Sequence, residues 1–288
     1  MIQSMTGYGK SKLEVGGKTF IAEIKSLNSK SLDASVRIPQ ELKELELPIR
    51  NKLSQSLNRG KVDLSLQIEK HDEENTAKIN TQVVQNYLKQ LQEFNLATDG
   101  NDNRLLQIAM TLPNALSSEK NELEKEDSEA VYKVLDLALE QINTFRTDEG
   151  KVLKTDFELR IQNLTELLSE VKRIDPERIE HVKTRLRKGI EELKEKIDDN
   201  RFEQELIYYI EKYDITEEKT RLDNHLSYFI SALNSSDSNG KKLNFICQEI
   251  GREINTIGSK SNFAPMQKAV VQMKDELEKI KEQLLNVL

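Results

Sequence analysis

The chain is poor in the residues that staple or anchor a protein. Its 288 residues include one cysteine and no tryptophan. A lone Cys247 excludes an internal disulfide framework and a cysteine-based zinc site, and it fits a reducing cytoplasm. No apolar run approaches the roughly 18 residues that a membrane-spanning helix needs. The opening Met1-Ile2-Gln3-Ser4-Met5-Thr6 lacks a basic stretch followed by an apolar one, so no secretory signal is expected and the expected location is cytoplasmic. Histidine is scarce too, with three in the chain, and no Ser-His-Asp arrangement can be argued.

Charge, by contrast, is plentiful. Charged residues make up 32% and hydrophobic ones 36%, with 43 Lys+Arg against 50 Asp+Glu, a net charge of −7. Taken alone, that sum argues against a nucleic-acid partner. It hides an asymmetry: residues 1–61 carry 11 Lys+Arg and six acids, so this segment is +5 and the remainder −12. A basic segment and an acidic segment in one chain suit a polyanion gripped at one place and an acidic, metal-binding site at another.

The hydrophobic pattern predicts an α+β fold. Phe20, Ala22 and Ile24 alternate with polar neighbours, as do Leu32, Ala34, Val36 and Ile38, and then Val62, Leu64, Leu66 and Ile68. Period two means half-buried strands. Between the second and third runs, Leu42, Leu45, Ile49, Leu53 and Leu57 follow Pro39 at spacings of three and four, which predicts a helix. The unit is β-β-α-β, with Met1–Gly9 adding a strand. Gly16-Gly17 reads as a turn. A helix is expected from Val83 to Phe94, ending near Thr98 to Asn101, and Lys120 to Glu129 reads as a charged connector.

From Glu129 onward helical periodicity dominates. Asp175-Pro176 predicts a break, because the residue before proline is pushed out of the helical region. Further helices are expected over about Phe202–Leu233, Lys241–Ile257 and Pro265 to the end, with a loop at Ser235 to Gly240. The predicted organisation is an N-terminal α+β domain (1–127), long helical arms or a hairpin (128–200) and an all-helical C-terminal domain (201–288). Narrow apolar stripes on such long helices point to coiled-coil-like packing or an oligomer interface.

Two polar blocks carry the candidate chemistry. In the first, Asp214, Glu218, Arg221 and His225 are spaced four, three and four apart and fall on one helical face, with Glu217 at its edge. In the second, Glu249, Arg252, Glu253 and Thr256 share a face, and Ser259-Lys260-Ser261 lies just beyond. If the two helices lie antiparallel, four carboxylates and one imidazole converge. Oxygen ligands with one histidine suit Mg²⁺ or Mn²⁺, and arginines beside them suit a phosphate undergoing displacement. The plainer alternative is ordinary surface pairing, in which acid–arginine pairs at these spacings contribute only ~0.2–0.5 kcal/mol each. Arg59-Gly60-Lys61 is either a phosphate grip or a basic turn. Cys247, among Phe245, Ile246 and Ile250, reads as a buried, inert thiol. His71 and His181 lie in solvated charged runs.

Several blocks together resemble the YicC/YloC family of bacterial proteins. They are Ile2-Gln3-Ser4-Met5-Thr6-Gly7-Tyr8-Gly9, Glu23-Ile24-Lys25-Ser26-Leu27-Asn28-Ser29-Lys30 and Arg59-Gly60-Lys61-Val62, then Asn200 to Leu206, Asp214 to His225 and Glu249 to Lys260. The resemblance runs the length of the chain. It implies a metal-dependent endoribonuclease assembled as a homo-oligomer, a hexamer, that encloses its RNA. It makes Asp214, Glu218, His225, Glu249 and Glu253 the candidate ligands of Mn²⁺ or Mg²⁺, with Glu218 and His225 also candidates for proton transfer. Arg221, Arg252 and Lys260 become candidates for contacting the scissile phosphate. Lys25, Arg59 and Lys61 become candidates for gripping the RNA backbone. Members of that family can carry alanine where Gly7 and Gly9 stand. Two other classes stay open: a non-catalytic RNA-binding scaffold, and a purely structural coiled-coil oligomer.

Overall fold

A computed structural model describes residues 2–70, 78–93, 102–117, 125–192, 199–235 and 240–288. The N-terminal part opens with a hairpin of β1 (Gly7–Val15) and β2 (Lys18–Leu27). Gly16 and Gly17 make its turn with φ of 58° and 74°, the left-handed backbone that a tight hairpin requires. Then come β3 (Leu32–Arg37), a 3₁₀ turn (Gln40–Leu45), α1 (Glu46–Ser56) and β4 (Gly60–Lys70). The sheet order is β1-β2-β4-β3; β4 runs antiparallel to β2 and parallel to β3, which α1 makes possible as the crossover. The expected β-β-α-β unit is therefore present. The added strand is Gly7–Val15 rather than Met1–Gly9, and before it only Ser4 makes a β-bridge, to Val287.

The small strands β5 (Lys78–Ile79) and β6 (Leu116–Ser117) pair around α2 (Thr81–Glu93) and α3 (Asp102–Thr111), which pack on Val84, Ala109 and Ala115. The expected turn at Thr98 to Asn101 lies outside the described residues. So does the first half of the expected connector, and its second half, Lys125 to Glu129, is helical.

That helix is α4 (Lys125–Glu192), 68 residues long and about 100 Å from end to end at 1.5 Å per residue. Its first third lies on the sheet. Phe20, Ala22, Ile24, Val62, Leu64 and Leu66 meet Val131, Val134, Leu135, Ala138 and Ile142 there, with α1 completing the core. The approach is close at Gly9, where an added Cβ would stand 2.3 Å from the Ala138 carbonyl oxygen. That is a packing reason for glycine at this position.

Further along, α4 supplies Leu153, Phe157, Ile161, Leu164, Leu168, Val171 and Ile174 to a second core. The partners there are α6 (Thr216–Leu233), α7 (Gly240–Lys260) and α8 (Ala264–Leu284), and α5 (Asp199–Lys212) precedes them. The expected break at Asp175-Pro176 is absent: Pro176 lies inside α4. A proline there costs about 3 kcal/mol, and tertiary bonds at the same turn oppose the break. Buried Asp175 accepts from Arg178 at 2.8 Å and from Lys219 at 2.6 Å, and Arg178 also donates to the Tyr213 carbonyl at 2.9 Å.

The helix expected over Phe202–Leu233 is interrupted at Tyr213 to Ile215, between α5 and α6. Residues 3–5 and 286–288 meet beside α4. Met5 donates to the Asn286 carbonyl, Leu288 to that of Gln3, and Ser4 to that of Arg146. No described helix is long and apolar enough to cross a membrane.

Candidate functional site

The two polar blocks come together as α6 and α7, and two contacts fix their relative direction. Lys260, the last residue of α7, donates to Glu218 in the first turn of α6, while Lys242 near the start of α7 lies 5.3 Å from the Tyr228 ring centroid near the end of α6. The helices are therefore antiparallel, as the convergence of the two blocks requires. Each is held by an apolar stripe: Leu222, Leu226 and Phe229 on one, and Leu243, Ile246, Ile250, Ile254 and Ile257 on the other. Glu218 and Glu253 sit at the margin of these stripes and are only 5% and 8% exposed. Ordinary helix-surface acids are not buried this far.

The electrostatics follow from that placement. Glu218 Oε1 accepts from Lys260 Nζ at 2.7 Å, and its Oε2 is buried with no hydrogen-bond partner among the described residues. Burial pushes the Glu253 carboxyl pKa up. The charges of Glu218 and Glu249 push it further up, while those of Arg221 and His225 oppose the shift. Five of the sequence-predicted residues thus share one electrostatic neighbourhood. The two arginines are exposed and paired within their own helices, Arg221 with Glu217 and Arg252 with Glu249.

Asp214 is placed differently from expectation. It precedes α6, so it does not extend the helical face that carries Glu218, Arg221 and His225. Its carboxylate instead accepts from the Thr216 N–H at 3.1 Å and the Thr216 hydroxyl at 2.7 Å, and these bonds hold its pKa below the ordinary value. Its carbonyl accepts from Lys260 at 2.9 Å. Lys260 therefore ties the end of α7 to both Asp214 and Glu218.

No three His, Cys, Asp or Glu side chains are gathered at metal-holding range among the described residues. The donor chemistry nonetheless fits an oxygen-preferring divalent cation. One buried carboxylate oxygen lacks a partner among the described residues, and burial raises the pKa of a second carboxyl despite the opposing charges of Arg221 and His225.

The basic candidates lie on the other core. Lys25 and Lys61 stand on the exposed face at one end of the β2–β4 pair, where Leu27 is opposite Lys61. Lys25 pairs with Glu23 at 2.8 Å. Arg59 Nε donates to the Ser29 carbonyl at 2.7 Å and so fastens the β2–β3 loop. Helix α4 is the element common to this basic end and the acidic helix pair.

Beneath the basic end lies a residue the sequence reading did not single out. Arg146 on α4 is 2% exposed. Its Nη2 donates to the Met5 carbonyl at 3.2 Å, to the Ser26 hydroxyl, and to the Arg59 carbonyl at 3.4 Å. Its Nε is buried without a partner among the described residues, and burial lowers its pKa. The signal was present in the sequence: Arg146 follows Ile142 by four on the apolar stripe of α4, a position that otherwise holds an aliphatic residue. Cys247 is buried as expected, and burial pushes its pKa up to about 12, which makes it a poor nucleophile. His181 is exposed, with its ring 5.6 Å from that of Phe263, and His71 lies outside the described residues.

An α+β chain with a four-stranded basic sheet, one continuous helix and an acidic helix pair is the class these elements define, and comparison with known proteins gives it a name. The chain belongs to the endoribonuclease YicC-like family: residues 2–155 match its N-terminal region and residues 171–288 its C-terminal region. The first match ends and the second begins inside α4. The chain is 31% identical over 295 residues to the probable endoribonuclease YicC of Clostridioides difficile (strain 630), with 100% of each chain covered. It is 27% identical over 288 residues to the probable endoribonuclease YicC of Haemophilus influenzae, again with 100% of each covered.

Proposed function

We propose that this protein is an endoribonuclease that hydrolyses RNA phosphodiester bonds at the α6–α7 face with the help of a divalent cation, Mn²⁺ or Mg²⁺. Family membership and the names of two full-length relatives support the nuclease class. The observation that carries the site is the pair of buried carboxyls, Glu218 with an unpartnered oxygen and Glu253 with its pKa raised. Glu218, Glu253 and His225, with Glu249 and Asp214 beside them, would hold the cation, which when bound supplies positive charge to the phosphate and a more acidic water.

In hydrolysis, a water oxygen forms the new bond to phosphorus and the bond to the leaving ribose oxygen breaks. A proton is lost by the water and one is gained by the leaving oxygen. Whichever of Glu253 and His225 does not hold the cation is placed to carry those protons, and burial favours the protonated form of Glu253. Arg221 and Arg252 are exposed and can exchange their intrahelical acids for phosphate oxygens. Lys260 positions Glu218 and bridges to Asp214. Lys25, Arg59 and Lys61 grip the RNA backbone, and this contribution weakens as salt rises.

We also propose a cytoplasmic homo-oligomer, a hexamer as the sequence resemblance implies. Support comes from Leu137, Phe145, Val152 and Leu159, which are exposed at spacings of eight, seven and seven along α4, the pattern of a helix face awaiting a partner. The test is cleavage of an end-labelled structured RNA with Mn²⁺ or Mg²⁺, with EDTA, and with Glu218→Gln or Glu249→Gln. Cleavage that survives EDTA and both substitutions rules out the carboxylate–metal site. Retention of RNA without cleavage under any metal favours the binding-scaffold alternative instead.

A further inference from the structure

Aromatic residues make up only 5% of the chain, and two of them stand exposed on the α6–α7 pair. Tyr228 is 50% exposed and Phe245 61%. Tyr228 follows His225 by three and Arg221 by seven. Phe245 precedes Glu249 by four and Glu253 by eight. Helical periodicity puts each aromatic on the polar face of its own helix, Tyr228 one turn beyond His225 and Phe245 one turn before Glu249, or about 5 Å along the axis.

The Lys242 ammonium, 5.3 Å from the Tyr228 ring centroid, brings the start of α7 beside Tyr228. Phe245, three residues after Lys242, shares that side. Two exposed rings with a lysine between the helices supply flat apolar faces and positive charge in one place. A nucleobase and its phosphate present the complementary pair of properties.

We infer that Tyr228 and Phe245, with Lys242, form a stacking subsite for an unpaired RNA base next to the phosphate handled by the α6–α7 carboxylates. This rests on the proposed ribonuclease function and specifies its substrate: the nucleotide flanking the scissile bond is single-stranded. Bases in a duplex are already stacked on one another and cannot lie on these rings. Tyr228 and Phe245 thus select for a loop, bulge or end, whatever the base identity, because every base has a stacking face.

The test reads binding in EDTA, where cleavage does not interfere, by fluorescence anisotropy of a labelled single-stranded RNA and of a duplex of the same sequence. The Tyr228→Ala/Phe245→Ala protein is expected to bind the single strand roughly 10- to 100-fold more weakly, with duplex binding unchanged. The Tyr228→Phe/Phe245→Tyr protein is expected to bind as the unsubstituted one does. Unchanged single-strand binding by the alanine variant overturns the subsite, as does an equal loss on duplex. A fall in subunit number on sedimentation, with RNA affinity retained, overturns it in favour of a contact between copies of the chain. Cleavage measured in parallel with Mn²⁺ separates the two proposals. Selective loss of single-strand binding in a protein that never cuts upholds the subsite and ends the ribonuclease reading; cutting with unchanged alanine-variant binding does the reverse.

Discussion

Lys260 Nζ lies 2.7 Å from Glu218 Oε1 and 2.9 Å from the Asp214 carbonyl oxygen, so the last residue of α7 fixes the start of α6. Removing the ammonium leaves Glu218 buried with neither oxygen paired. Lys260→Ala is expected to cost about 1–3 kcal/mol, the penalty for orphaning a buried polar group. Combining Lys260→Met with Glu218→Leu should recover most of that loss, since apolar replacement of both partners is nearly neutral. Urea unfolding of the single and double variants checks both statements, and equal stability of Lys260→Ala and the parent protein would contradict them.

Glu253 has a pKa raised by burial and by its acidic neighbours. The unfolded chain titrates it near about 4.3, below the folded value, so the folded state holds the proton to higher pH. Glu253 therefore adds no penalty below the unfolded pKa, and stability falls as pH rises from there through the folded value. Glu253→Gln should remove this dependence and raise the thermal midpoint at neutral pH. The same substitution should abolish RNA cleavage. A midpoint unchanged at every pH would rule out the electrostatic cost.

Glu276 on α8 behaves in the opposite way. Burial raises its pKa, but hydrogen bonds from Lys279, Asn163 and Arg160 outweigh this and hold it at about 2. Its contribution is present above the unfolded pKa of about 4.3 and is lost as pH falls toward about 2. Glu276→Gln should destabilise the contact between α4 and α8 at neutral pH by about 1–3 kcal/mol, with the difference from the parent vanishing in acid. Parallel acid-unfolding curves for the two proteins measure it.

Arg146 is buried among neutral acceptors, with no carboxylate as a hydrogen-bond partner. Arg146→Met keeps the bulk and removes the donors; the Ser26 hydroxyl still donates to the Met5 carbonyl at 2.6 Å, but both groups and the Arg59 carbonyl lose the bond from the guanidinium. The expected loss is about 2–3 kcal/mol. Salt-dependent RNA binding should also weaken, because the Arg59 carbonyl loses its anchor next to the proposed backbone grip. Denaturant melts and binding titrations at two salt concentrations would show it.

The sequence made the sheet legible because each strand buries one face, so Phe20, Ala22 and Ile24 alternate with polar neighbours. It also made α6 and α7 legible, because their apolar stripes recur every three or four residues. Local rules failed where distant residues overrule them. Pro176 predicts a break, yet Asp175, Arg178 and Lys219 hold the turn helical, and Lys219 lies 44 positions away. Asp214 has the spacing of a helical face but caps the backbone at Thr216 instead, which spacing alone does not distinguish. The Lys260–Glu218 pair spans 42 positions and carries no local signal. The convergence of Glu218 and Glu253 was legible only on the assumption of antiparallel helices. Their burial was not, because composition says nothing of which acids lie against an apolar margin.

The pairing of residues 3–5 with residues 286–288 has a kinetic consequence. Synthesis delivers Ser4 long before its β-bridge partner Val287. The sheet and the first third of α4 can assemble as the chain emerges, but Ile2, which belongs to the second core, must wait for the opposite end. Closure of this seam is then a late step, and removal of residues 286–288 would leave residues 3–5 unfastened.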